Sequence, residues 1–145
     1  SARAIIPTVI SQILSNKKRI ELGNLTPTRD LTYVSDTCQG FIEIFKSDKL
    51  FGEVTNIGMN QEISIGDLVI LIAKILNKSI EVIPKSQRIR PKGSEVNRLL
   101  CDNKKLLKST NWRPKVKLKD GIISVYDWMT KSNNLAIFKS NKYNV

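Results

Sequence analysis

Histidine is absent from the chain. Its absence removes the commonest general base and makes a Ser-His nucleophilic arrangement impossible. Cysteine is scarce: Cys38 and Cys101 lie far apart without a partner motif, so no zinc site is expected. Solitary buried thiols suit a reducing compartment, and a cytoplasmic protein is expected. No run of roughly eighteen apolar residues occurs, so no membrane span is expected. No secretory signal opens the chain, and Ser1 stands where a Met would. That start is expected of a processed chain or of a piece of a longer one. Catalytic motifs are missing too. There is no G-x-G-x-x-G or G-x-x-G-x-x-G turn, no Walker loop and no G-x-S-x-G elbow. Neither Tyr33 nor Tyr126 is followed four residues on by lysine, since Thr37 and Thr130 stand there. No carboxylate pair stands out as acid and base, and Asp30 and Glu95 draw notice only because arginines lie beside them.

The 145 residues, 41% of them hydrophobic, suit one domain with a real core. The net charge of +11 raises the question of nucleic acid. The lysines are spread along the whole length, however, with no stripe of interleaved aromatics. Lys46, Lys74, Lys104, Lys105 and Lys108 fall where solvated helix faces put them, so a nucleic-acid partner is not expected.

Apolar spacing predicts a helix opening near Pro7, with Val9, Ile10, Ile13 and Leu14 on one face. A strand over Arg19–Leu22 follows, closed by Gly23-Asn24, and residues 31–34 read as extended. Ser35 is the expected cap of a second helix, with Asp36 in its first turn and Phe41, Ile42, Ile44 and Phe45 as its apolar positions. Residues 53–57 alternate as a strand that Gly58 stops. Ser64 is expected to cap a third helix with Asp67 at its third position, and Leu68, Leu71, Ile72, Ile75 and Leu76 form its stripe. A strand at 80–83, an arginine-bearing loop at 85–98, a buried extended Leu99-Leu100, a short helix at 104–108 and a last helix at 118–129 complete the α/β pattern. The tail 132–145 reads as flexible and polar, although Leu135, Ile137 and Phe138 are able to dock. These strands are too few and too scattered for a satisfactory sheet, which suggests that some pair with a missing partner.

The arginines are the most suggestive feature. Arg29 sits in one loop, Arg88 and Arg90 in another, and Arg98 beyond. A guanidinium offers a rigid fork matched to phosphate, and two loops able to supply one each can grip a diphosphate. Ordinary surface pairing with Asp30 or Glu95 accounts for the same residues. Gly23-Asn24 reads either as a plain turn or as a place where backbone approaches a ligand.

Several stretches resemble one family. Residues 22–36 (LGNLTPTRDLTYVSD) are similar to a segment of GDP-mannose 4,6-dehydratases and related enzymes. RPKGSEV at 90–96, running on to Asp102, resembles their R-P-x-E-V-D segment with two residues inserted after the proline. Asn56-Ile57-Gly58 resembles the N-I-G strand end of extended short-chain dehydrogenases, and Asn111-Trp112-Arg113-Pro114 resembles their G-W-x-P, with Asn in place of Gly. SARAIIP at 1–7 resembles the stretch after the family's sixth strand. The wording is nearest to bacterial dehydratases acting on UDP-N-acetylated sugars for legionaminic-type acids.

The resemblance implies that residues 1–131 are the C-terminal, substrate-binding part of such an enzyme, with the Rossmann domain largely missing. Arg29 and Arg90 match the family's diphosphate-binding arginines, and Leu22, Gly23 and Asn24 match its nucleotide-lining segment. Glu95 matches a carboxylate near the ribose or base, and Arg3 is placed on the sugar side. The expected ligand is a nucleoside-diphosphate sugar, UDP or GDP. NAD or NADP belongs to the absent half, and this chain alone binds neither. In the family the cofactor takes a hydride from the sugar C4, water is lost across C5 and C6, and the hydride returns at C6. The Tyr-x-x-x-Lys pair and the acidic pair that drive this lie upstream, so no catalytic residue is expected here. A homodimer that pairs exposed strand edges is also open. A nucleotide-sugar 4-epimerase portion, a non-catalytic nucleotide-binding remnant and a polyanion binder remain as alternatives.

Overall fold

The computed structural model describes residues 4–15, 17–88 and 93–138. They form two compact units. Unit 1 comprises residues 1–27, 64–97 and 119–145, and unit 2 comprises 28–63 and 98–118.

Unit 1 opens with α1 (Ile5–Leu14). Pro7 falls in the first turn, where backbone N–H groups have no helical partner, so its missing donor costs nothing. The buried side of α1 carries Val9, Ile10, Gln12 and Ile13. It packs on α3 (Ile65–Ile75), whose buried residues are Leu68, Val69, Ile72 and Ala73. Each fully buried branched side chain contributes about 1.5–3 kcal/mol relative to exposure. The expected stripe shifts accordingly. Leu71, Ile75 and Leu76 are half-buried, and Val69 takes a core place. Ser64 caps α3 as expected: its Oγ accepts the Asp67 amide at 3.0 Å and donates to the Asp67 carboxylate at 2.5 Å.

The parallel pair β1 (Arg19–Leu22) and β4 (Glu81–Pro84) lies in the same unit, with Ile20 opposite Val82 and Leu22 opposite Pro84. Pro84 has no N–H to give, and Lys85 N–H reaches the Leu22 carbonyl instead at 2.8 Å. On the other edge of β1 the buried Gln12 amide accepts from Glu21 N–H (3.0 Å) and donates to Glu21 C=O (3.2 Å). The last helix, α5 (Leu118–Thr130), buries Ile122 and Met129. After it a short 3-10 turn at Ser132–Ile137 brings Phe138 edge-on to Trp128, with ring centroids 6.2 Å apart.

Unit 2 holds β2 (Thr28–Arg29), α2 (Val34–Phe45), a 3-10 turn at Asp48–Leu50 and α4 (Lys104–Ser109). β2 pairs with β3 (Ile63–Ser64), and Thr28 forms a parallel bridge with Arg98. The core is Leu50, Leu106 and Trp112, with Ile44, Ile57 and Leu107 packed against it. Asp36 organises the unit. Its backbone carbonyl accepts the Trp112 indole N–H at 2.9 Å, and its carboxylate accepts the Lys115 and Val116 amides at 3.0 and 2.9 Å.

Several expectations are corrected here. The cap of α2 is Tyr33, which is extended and whose carbonyl accepts the Asp36 and Thr37 amides, so Ser35 lies inside the helix. Val34, expected to be extended, is the first residue of the helix. Residues 53–57 form no strand, because no neighbour among the described residues offers them a ladder. Leu99 and Leu100 are 50% and 39% exposed rather than buried. Phe41 and Phe45 on α2 are 64% and 91% exposed, since its inward side is filled by Asp36 and Gly40.

Replacing Asp36 with Ala strands two amides and lowers stability by about 2 kcal/mol, the cost of leaving such donors without partners. Asp36→Asn, which keeps one acceptor, costs less. Urea unfolding of both variants reads the order.

Candidate functional site

In unit 1 the segments singled out by sequence leave the carboxyl ends of a parallel strand pair. Leu22-Gly23-Asn24 follows β1, and Ser86–Arg88 with Glu95 beyond it follows β4. In open α/β sheets ligands settle at that end of the strands. Leu22 itself is 3% exposed, so its side chain is core and its carbonyl is spent on Lys85. Gly23 is required by a close approach: a Cβ there would collide with the backbone carbonyl of Arg88. The glycine lets the two segments converge. Asn24 is exposed, and its Oδ1 accepts the Thr26 amide (3.1 Å) and hydroxyl (3.0 Å), a turn closed by its own side chain. Glu95 is half-buried, just past the exposed Gly93 turn. Arg90 and Arg3 lie outside the described residues.

Arg29 belongs to unit 2. It is half-buried on β2, and its Nη1 donates to the Thr28 carbonyl at 2.8 Å. Neighbouring Asp30 is occupied structurally, because its carboxylate accepts the Met59 amide at 2.9 Å and the Cys101 amide at 3.1 Å. Gly58 sits beneath Cys101, where any Cβ would meet the Cys101 side chain. Arg98 forks onto Glu62 with bonds of 2.7–3.0 Å, and Thr28 Oγ1 donates to the same carboxylate at 2.5 Å. Glu62 gave no signal in the sequence, because its partners stand more than thirty residues away in the chain.

Unit 2 also carries an open groove of about 690 Å³. Asp30, Phe41, Thr55, Ile57, Leu99 and Cys101 are among its lining residues. Thr55 Oγ1 is buried there without a hydrogen-bond partner among the described residues. Burial, with Asp30 and Asp102 nearby, pushes the Cys101 thiol above its ordinary value, so it is not an activated nucleophile. No group of three or more metal-ligating side chains occurs among the described residues. No helix among them is long and apolar enough to cross a membrane.

The exposed ion pairs set a pH dependence. Hydrogen bonds from Lys85, Lys105 and Arg98 hold Glu21, Glu53 and Glu62 respectively below the ordinary carboxylate value of 4.5. Because the folded values are depressed, the stability these pairs contribute is complete above about pH 4.5 and is lost as pH falls through the lowered values. The melting temperature is therefore expected to drop on acidification below that point, with the difference reduced at high salt. Thermal melts across pH at low and high ionic strength check both.

Residues 2–125 match the family model of GDP-mannose 4,6 dehydratase. Human dTDP-D-glucose 4,6-dehydratase is 30% identical over 127 residues, covering 86% of this chain and 36% of that protein. GDP-L-fucose synthase 1 of Arabidopsis thaliana is 33% identical over 111 residues, covering 76% and 32%. Among solved structures, UDP-glucuronic acid 4-epimerase from Bacillus cereus, in complex with UDP-glucuronic acid and NAD, superposes with a TM-score of 0.76. It is 28% identical, over 88% of this chain and 40% of that one. The chain spans 26–40% of the length of the first curated relatives it matches. Its α/β fold is that of the extended short-chain dehydrogenase epimerases and dehydratases, and the chain belongs to the GDP-mannose 4,6 dehydratase family.

Proposed function

We propose that residues 1–131 are the substrate-binding portion of an NAD(P)-dependent nucleotide-sugar 4,6-dehydratase, acting with a Rossmann half that lies outside this sequence. The observation that carries this reading is the convergence of Leu22-Gly23-Asn24 with the segment after β4, at the carboxyl ends of a parallel pair. Arg29 and Arg90 are assigned to the diphosphate of a UDP or GDP sugar, Gly23 and Asn24 to the nucleotide, Glu95 to its ribose or base, and Arg3 to the sugar side. No residue here is assigned to the chemistry, and the chain alone is inactive. NAD or NADP is held by the other half, since no dinucleotide fingerprint occurs in this sequence. The LGNL and RPKGSEV wording favours a dehydratase over an epimerase, and the wording as a whole is nearest to cytoplasmic bacterial dehydratases acting on UDP-N-acetylated sugars for legionaminic-type acids.

Unit 2 supports the missing half. Phe45, Phe51 and Val54 are 91%, 92% and 86% exposed, and residues 53–57 have no ladder partner among the described residues. A strand laid along that stretch would pair its backbone groups and cover the aromatics. A 4-epimerase is the second reading, favoured by the likeness to the UDP-glucuronic acid 4-epimerase.

Reading the coding sequence upstream of Ser1 tests the core of the proposal. An in-frame G-x-x-G-x-x-G turn and Tyr-x-x-x-Lys pair are expected, and a start codon directly before Ser1 would overturn it. In calorimetry with UDP and GDP, Arg29→Ala and Arg90→Ala are each expected to weaken binding at least about tenfold, as charge-assisted hydrogen bonds are worth about 1.5–3 kcal/mol. Unchanged affinity in both removes the diphosphate assignment. The isolated chain is expected to self-associate on size-exclusion chromatography, and Phe45→Ser with Phe51→Ser to reduce this. A monomer with a cooperative melt and no change in the double variant counts against the docking face.

A further inference from the structure

A parallel strand sends the N–H and C=O of alternate residues to opposite edges. In β1 the carbonyls of Lys18 and Leu22 serve β4 and the residue after it, accepting from Glu81 and Lys85 at 2.9 and 2.8 Å. Glu21 therefore turns its own N–H and C=O to the far edge. A third strand would meet them in a larger sheet. Here the side-chain amide of Gln12 does so, accepting at 3.0 Å and donating at 3.2 Å. It is 1% exposed and projects from α1, which is itself locked onto α3. A primary amide reproduces the donor–acceptor pair of a peptide unit, so Gln12 stands in for one residue of a missing neighbour strand.

Its position in the chain matters. Glu21 is the last outward-facing residue before Leu22-Gly23-Asn24. Just beyond it, Lys85 holds the Leu22 carbonyl and the Arg88 carbonyl packs against Gly23. The strand end is thus gripped on both edges within three residues. Among the described residues the Gly23 and Asn24 amides have no protein acceptor. They are two N–H donors at the carboxyl end of a parallel pair.

We infer that Gln12 is a positioning residue for the nucleotide site: by clamping both backbone groups of Glu21, it fixes the direction in which the Gly23 and Asn24 amides are presented to an anionic or carbonyl oxygen of the ligand. This rests on the assignment of Leu22-Gly23-Asn24 to nucleotide binding. No role for Gln12 was visible in the sequence, where it reads as one more residue on an amphipathic helix.

The test compares Gln12→Met, which keeps size and burial but loses both hydrogen bonds, with Met129→Ala, a core variant on α5 of the same unit, outside the α1–α3 packing that seats Gln12. Affinity for UDP and GDP is measured by calorimetry well below each melting temperature, and the amide NMR chemical shifts of Gly23 and Asn24, which report backbone geometry, are followed. Gln12→Met is expected to weaken nucleotide binding about tenfold, the scale of a hydrogen-bond pair, and to shift both amide resonances. Met129→Ala is expected to lower the melting temperature while leaving affinity and those two amide resonances near their wild-type values. If Gln12→Met does not fold, Gln12→Glu keeps the acceptor for Glu21 N–H and removes the donor, and the same loss is expected. Equal affinity and unshifted amide resonances in wild type and the Gln12 variants overturn the inference. A wild-type chain that binds neither nucleotide overturns the binding assignment instead, and shifted Gly23 and Asn24 amide resonances in Gln12→Met would then still uphold the positioning.

Discussion

Backbone satisfaction at the end of β1 is the constraint on which the rest of unit 1 depends. A pair of four-residue strands is marginal on its own, because one edge of each strand is left bare. Unit 1 meets the need at β1 with a side chain. Gln12 can reach Glu21 only because α1 is seated on α3, so the apolar helix contact and the polar strand contact are one device. A buried amide without both bonds would be costly, and here both are made. The converging segments after β1 and β4 inherit their geometry from it.

Unit 2 applies the same economy around Asp36. One residue ties the start of α2 to the Trp112 side chain and to the backbone at 115–116. Asp30 performs a similar task for residues 59 and 101, and Asn103 for Gly58, whose carbonyl accepts its amide at 2.7 Å. Buried or half-buried polar groups therefore shape this unit as much as its small apolar core does. The apolar residues left outside that core are Phe45 and Phe51 foremost, 91% and 92% exposed.

The family relation sharpens the contrast between the units. Relatives are two and a half to nearly four times as long as the stretch they share with this chain. In unit 1 β1 and β4 pair with each other, whereas residues 53–57 of unit 2 have no ladder partner among the described residues.

What the sequence determined by itself was local. The Ser64–Asp67 cap, the helices from apolar spacing and the strand at 19–22 were legible, because the interactions that make them span only a few residues. The order of LGNL, N-I-G, RPKGSEV and N-W-R-P was legible too, and it pointed to the family. Tertiary structure decided the rest. Periodicity marked Phe41, Phe45, Leu99 and Leu100 as apolar, but what covers an apolar residue depends on elements distant in the chain. Gly23 looked like a turn and is a contact point for Arg88, sixty-five residues later. Gln12 and Asp36 read as ordinary helix residues. Their roles arise because a buried donor or acceptor must find a partner wherever the packed chain happens to supply one, and that partner has no fixed spacing in sequence.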